Sequence, residues 1–364
     1  MIWTRVCFNV ILLLMSWLCL GQCNLNDSDA LPLQLAMDGT EASRSVLLSH
    51  NRILDSMPDH AQLELHDASS AVLLARLSHW HDASHDIEAA RIMAEPARVD
   101  LNMDGLADAV YVVDLQGRVW FIQLEGLGFA SPKLIADFSA SEAVFSQPVQ
   151  LVQTTYKQAL AGVGVIDRIK VSLVLLARQH EAGDTVVVFN HYLNNSRLTS
   201  YSDLIDRTHL SIEASELGLT ETAWRELQQS AGWLMKLDDT VIVKPQIYAG
   251  VVYFMTATKD AERLGCEVNT DDETQLFALH LHHAGKVYSQ RSWLSEAVTN
   301  GSLQLATVDD KLQLKIVNES EQARLIPDML AITEQCATCT QALVTSDFPK
   351  VLRLATYMVE QGAW

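Results

Sequence analysis

The stretch that most constrains this chain is Asp100-Leu-Asn-Met-Asp-Gly-Leu-Ala-Asp108, together with the segment it feeds. Oxygen-bearing side chains occupy positions 1, 3, 5 and 9 of this run, and glycine occupies position 6. Alternate residues of a tight loop can all point inward, and a hard cation such as Ca²⁺ takes about six to eight oxygen ligands. Asp100, Asn102 and Asp104 would supply side-chain oxygens, Leu106 its backbone carbonyl, and Asp108 would close the site directly or through water. Gly105 permits the sharp turn. Three carboxylates this close repel one another in an ion-free loop, which favours a bound cation. The competing reading is an Asx-rich turn held by its own hydrogen bonds, with no metal.

The residues after the loop exclude an EF-hand. Position 12 is Tyr111, where an EF-hand needs a bidentate Glu, and no helix signal comes after it. Instead Ala109–Val113 and Arg118–Leu124 are β-rich runs separated by Asp114-Leu-Gln-Gly117, the pattern of a hairpin. Trp120 and Phe121 are adjacent, so one faces each side of the strand. A cation loop that leads into a strand is the arrangement of Ca²⁺ loops in β-propellers.

The same β character recurs along the chain. Lys170–Ala177 is a continuous apolar run of the buried-strand type, and Gly183-Asp184 turns it toward Thr185–Phe189. Further strands are expected over Thr240–Val243, Gln246–Tyr248, Gly250–Met255, Gln275–Leu281, Lys286–Tyr288, Leu303–Leu305 and Lys311–Val317, with Ala284-Gly285 as a turn. Residues 213–231 carry good helix formers and read as one or two short helices inserted between strands, with Thr220 as a candidate cap. Asp86 to Glu95 reads as a short helical patch ended by Pro96. Short strands separated by turn signals mean a sandwich, barrel or propeller, and the loop–hairpin selects the propeller. The expected fold is all-β and propeller-like, short of strands for a full ring, with a helical insertion near 213–231. No clean internal repeat is visible.

Residues 1–23 read as a secretory signal peptide: Arg5 as a minimal basic start, the apolar run Val10–Leu20, and small residues Gly21 and Cys23 at plausible cleavage positions. Leu20-Gly-Gln-Cys23 also resembles a lipobox, with Gln22 a poor fit. No later stretch is apolar enough to span a membrane. Export makes Cys336-Ala-Thr-Cys339 a local disulfide, or half of a bridge to Cys266. Residues 24–94 are expected to hold a polar linker, running to about residue 50, and the first weak strands. Residues 95–325 would be the propeller region and 326–364 a tail carrying the C-x-x-C pair. The net charge of −19 argues against nucleic acid as a partner. His79, His81 and His85 read as a solvated turn, and His280, His282 and His283 as an exposed strand face, ahead of metal ligation in both cases. No G-x-S-x-G or H-E-x-x-H motif is present, and no acid/base pair stands out, so an enzyme is not expected.

Taken in order, these segments resemble the C-terminal β-propeller of the PilY/PilC proteins, the tip-associated adhesin and assembly factors of bacterial type IV pili. Asp100–Trp120 is similar to that family's Ca²⁺ loop and its Tyr-x-x-Asp-x-x-Gly-x-x-Trp hairpin. Gln147-Pro148-Val149, Arg178 and Asp184, Gly232-Trp233 with Leu237, Val252–Thr258, Cys266 and Leu276–Gly285 come in the family's order. The resemblance spans about residues 95–290, as a divergent or reduced member. It implies an exported protein of the periplasm, outer surface or pilus tip. It also implies Ca²⁺ at Asp100, Asn102, Asp104, Leu106 and Asp108, and a non-enzymatic role in pilus extension or surface adhesion. The implied partners are minor pilins or pilus-tip components, and host or surface ligands. The alternative is an exported Ca²⁺-stabilised propeller that binds glycan or protein ligands outside any pilus system.

Overall fold

Leu31, Leu33 and Leu35 are buried while Pro32, Gln34 and Ala36 between them are exposed, so β1 (Leu31–Ala36) is a one-sided strand. It pairs antiparallel with β2 (Ser43–His50), which pairs with β3 (Gln62–Asp67), which pairs with β4 (Leu73–Ser78). This first sheet occupies part of the region expected to be linker. The alternating leucines override its polar average, because a strand needs only every second side chain in a core. The computed structural model describes residues 30–36, 43–50, 60–82, 84–160, 164–179, 183–194, 197–210, 221–257, 274–295, 301–318 and 322–329. The expected signal segment, Cys23, Cys266, the C-x-x-C pair and Thr220 lie outside them.

A short ribbon, β5 (His81–Asp82) with β6 (Ile87–Glu88), leads to the second sheet. No helix forms over Asp86–Glu95; bridges join His60 to Ala90 and Ile92 to Asp114 instead. The extended backbone gives the Ala90 N–H to the Asp114 carboxylate, a partner 24 residues away that local pattern cannot reveal.

The second sheet contains β7 (Ala97–Val99), β8 (Ala109–Val113), β9 (Arg118–Glu125), β10 (Gly128–Phe129) and β11 (Lys133–Asp137). The third is built on β12 (Gln150–Leu160), β13 (Gly164–Ala177) and β14 (Thr185–Tyr192). After β14, β15 (Thr199–Ser200) returns to pair parallel with β11, and β16 (Ile205–Asp206) rejoins the third sheet. Helix α1 (Glu221–Gln229) lies within the expected insertion and precedes β17 (Gly232–Lys236), which completes that sheet. The fourth sheet runs β18 (Thr240–Tyr248), β19 (Val251–Ala257), β20 (Thr274–His280) and β21 (Ser292–Ser295). The fifth runs β22 (Ser302–Val308), β23 (Lys311–Val317) and β24 (Gln322–Ile326). The strand expected at Lys286–Tyr288 is reduced to one bridge between Leu279 and Lys286.

The cores lie between consecutive sheets. Val110 and Val112 of β8 face the first sheet together with Trp120 and Ile122, whereas Ala109, Tyr111 and Val113 face the third together with Phe121. A sheet on each side buries all five residues of β8, and a fully buried large apolar side chain contributes about 1.5–3 kcal/mol. Separate clusters join the third sheet to the fourth and the fourth to the fifth. The first strands of the sheets meet in turn. Arg98 of β7 donates to Pro32 O of β1 (2.7 Å), β12 touches β7 and β18, and β18 touches β22. This is a nearly all-β, propeller-like succession of sheets. Among the described residues no apolar cluster joins the fifth sheet to the first. Both terminal faces are polar, with Gln34, Ser45 and Glu64 on one and Gln304, Lys315 and Arg324 on the other. No helix among the described residues is long and apolar enough to cross a membrane.

Candidate metal-binding loop

The Asp100–Asp108 loop connects β7 to β8 at one end of the second sheet. Its side chains fold back on its own backbone. Asp100 accepts hydrogen bonds from the N–H groups of Asp104 (3.2 Å) and Gly105 (2.7 Å). Asn102 Oδ1 accepts from Asp104 N–H at 2.9 Å, and Asp104 Oδ1 from Leu106 N–H at 2.8 Å. Asp108 Oδ2 takes the N–H groups of Leu101 (2.6 Å) and Asn102 (3.3 Å). The Asn102 amide donates to Asp104 Oδ2 at 3.0 Å. The turn needs positive φ at two residues, Met103 (62°) and Gly105 (88°).

The loop therefore gathers Asp100, Asn102, Asp104 and Asp108 around one turn, with the Leu106 carbonyl on the same segment. The donor set is all oxygen, which suits a hard cation, and each carboxylate oxygen that accepts one backbone N–H retains a second lone pair. Backbone donors offset the mutual repulsion of the carboxylates, so the turn holds its shape by the Asx bonds of the competing reading as well. Among the described residues, no three His, Cys, Asp or Glu side chains converge as a metal cage. Ligation here would need Asn102 and the Leu106 carbonyl alongside the carboxylates.

Neighbouring sheets grip the loop from both sides. Ala107 N–H donates to Gln34 O of β1 (2.8 Å), and the Gln153 side-chain amide of β12 donates to Leu101 O (3.0 Å). Sequence reasoning missed both anchors, which are lone glutamines on distant strands. Met103 stands at the loop tip, 53% exposed.

The hairpin after the loop is pinned by residues that its sequence motif contains. Asp114 is fully buried and accepts four hydrogen bonds. Oδ1 takes the N–H groups of Gln116 and Arg118 (both 3.0 Å), and Oδ2 takes Ala90 N–H (3.1 Å) and the Trp120 indole N–H (3.3 Å). Burial raises its pKa, against the pull of these donors and of the Arg118 charge. Gly117 has φ +84°, and a β-carbon there would lie 2.4 Å from the Phe145 ring. The Tyr111 hydroxyl and His191 Nδ1 share a hydrogen bond (2.8 Å) that ties β8 to β14 across the core. Burial pushes the His191 pKa down to about 4.

The two histidine groups diverge. His79 and His85 are exposed, with His85 against Asp82 at 3.0 Å. His280, His282 and His283 are not an exposed face. β20 ends at His280, and the turn after it folds all three rings back together, with His280 stacked on His283 at 3.9 Å and tilted against His282 at 5.6 Å. The strand period fails where the strand stops.

No protein-family model matches this sequence, and no curated protein matches it. The fold is similar to that of the Pseudomonas aeruginosa PilY1 C-terminal domain. That crystal structure superposes with a TM-score of 0.50 at 13% identity, covering 82% of this chain and 71% of that one. At this identity the likeness speaks for the fold alone.

Proposed function

We propose that this chain is an exported, non-enzymatic binding protein of a type IV pilus system, and that Ca²⁺ in the Asp100–Asp108 loop sets the shape of its interaction surface. What carries the reading is the coincidence, in one chain, of the loop–hairpin residues with a fold similar to the PilY1 C-terminal domain. A bound Ca²⁺ would supply positive charge and fixed oxygen geometry, held by Asp100, Asn102, Asp104, the Leu106 carbonyl and Asp108. Leu101 and Ala107 are bonded to the third and first sheets, so order imposed on the loop passes to three sheets at once. The exposed Met103 at the tip offers an apolar contact beside the charged site. A partner that engages the tip then sees a defined surface only in the loaded state.

The test is retention of minor pilins by the immobilised protein, in Ca²⁺ and in chelator. Retention in Ca²⁺ that is lost in chelator and in Asp104→Ala is the expected result. Binding of a glycan or an unrelated protein, with no pilin retained in either condition, would move the assignment to a Ca²⁺-stabilised propeller outside a pilus system.

A further inference from the structure

The facing edges of the third and fourth sheets hold a group of positive and imidazole side chains with no acid among them in the described residues. Arg207 comes directly after β16, Arg291 lies between β20 and β21, and the histidine turn comes directly after β20. Arg207 Nε donates to His283 O at 3.1 Å. Arg291 Nη1 and Nη2 donate to Thr208 O and Arg207 O, both at 3.1 Å, and Nη2 also lies 2.8 Å from Met235 Sδ. Two guanidinium groups are thus layered against backbone carbonyls, each in the other's field. Burial and Arg207 together bring the Arg291 pKa down to about 10. Lys170 of β13, 5.9 Å over the Tyr192 ring, is lowered by burial to about 8, and its charge also acts on His282.

Three nitrogen atoms in this group are buried without a hydrogen-bond partner: Arg207 Nη2, Arg291 Nε and His282 Nδ1. The carboxylate next in sequence, Asp206, is turned to Thr208 N–H (2.9 Å) and the Lys236 ammonium (3.3 Å). Both arginines are partly buried; an unpaired cation drawn out of water is costly, and a buried unsatisfied donor costs more than a made bond contributes. Two arginines with no carboxylate partner among the described residues are unexpected in a chain with 45 acids to 26 bases. Carbonyls satisfy the guanidinium hydrogen bonds in part but supply no negative charge.

We propose that this group is a binding site for a small oxyanion of the phosphate or sulfate type, with Arg207 and Arg291 supplying charge and His282 a ring nitrogen. Such an anion accepts several hydrogen bonds at once and suits guanidinium donors. It would bridge the β16 end of the third sheet to the histidine turn of the fourth. The site is distinct from the Asp100–Asp108 loop and does not depend on the pilus assignment.

Thermal unfolding and calorimetry of the full chain, with sodium sulfate and sodium phosphate titrated separately against sodium chloride at equal ionic strength, test it. The expected result is a saturable rise in the unfolding midpoint at low millimolar anion, with heat of binding to one site. Arg207→Gln and His282→Asn should each weaken that response about tenfold or more. Comparing the two anions tells which is preferred. Both anions also stabilise proteins by exclusion from the surface. A rise that is linear, without saturation, and equal in wild type and variants would overturn the proposal, as would no heat of binding to the wild-type chain. The wild-type titration decides the matter even where a variant fails to fold.

Discussion

Asp114→Asn separates hydrogen-bond geometry from size, because the two side chains have the same shape. The carboxylate accepts on both oxygens: two turn N–H groups on one, and Ala90 N–H with the Trp120 indole on the other. An amide keeps one accepting oxygen. Its NH₂ must then face two N–H donors in a position with no exposure. Each orphaned buried donor costs about 1–3 kcal/mol. Replacing a buried charge by a neutral group offsets part of this, since burial already disfavours the ionised form. The orphaned donors outweigh that gain, and the expected net loss is about 2–4 kcal/mol. Urea unfolding at neutral pH, followed by tryptophan fluorescence, measures it. A loss below about 0.5 kcal/mol, the range of ordinary surface substitutions, would refute the view that this carboxylate pins the hairpin and the Ala90 segment together.

Three further outcomes are expected. Gly232→Ala places a β-carbon 1.9 Å from Val188 O at φ +147°, so β14 and β17 must part; a loss of about 3 kcal/mol or more is expected in the same urea assay. Gly105→Ala meets nothing within 4 Å and is opposed only by φ +88°, at about 1–2 kcal/mol, which a urea midpoint lowered modestly, and less than that of Gly232→Ala, would bear out. Burial lowers His50 and His191 to about 4, below the ordinary value near 6.5. The unfolded chain therefore binds more protons than the native one between those values. Stability from these groups is present above pH 6.5 and is lost as pH falls toward 4, by up to about 3 kcal/mol for each histidine. Urea midpoints from pH 7 to 4.5 should fall for wild type and fall less for a His191→Gln variant.

The parts of the fold legible in the sequence are those written in local period. The Trp120–Phe121 neighbours do divide between two cores, whereas Leu31, Leu33 and Leu35 form a one-sided strand in a stretch whose polar average reads as linker. Asp114 and Gly117 are readable as a turn between two β-rich runs, and Trp120 joins them through the resemblance to the PilY/PilC hairpin. The hidden parts depend on contacts made at a distance. Asp86–Glu95 looks helical by composition, yet Ala90 N–H is claimed by Asp114. The Gln34 carbonyl and the Gln153 amide anchor the loop from two other sheets, and nothing near either residue marks that role. The histidines after Leu279 alternate like an exposed face, but the strand ends at His280 and the turn folds them inward.

Calcium titration of the protein by calorimetry tests the proposed function most directly, with Asp104→Ala as its partner. The account predicts one-site binding to the wild-type protein and a thermal midpoint that rises with Ca²⁺, by about 2.7 kcal/mol of added stability at a hundredfold excess over Kd. It also predicts that Asp104→Ala keeps its fold and loses most of the affinity. No heat and no stabilisation in wild type, or wild-type affinity in Asp104→Ala, would contradict it and leave Asp100–Asp108 as an Asx turn that needs no metal.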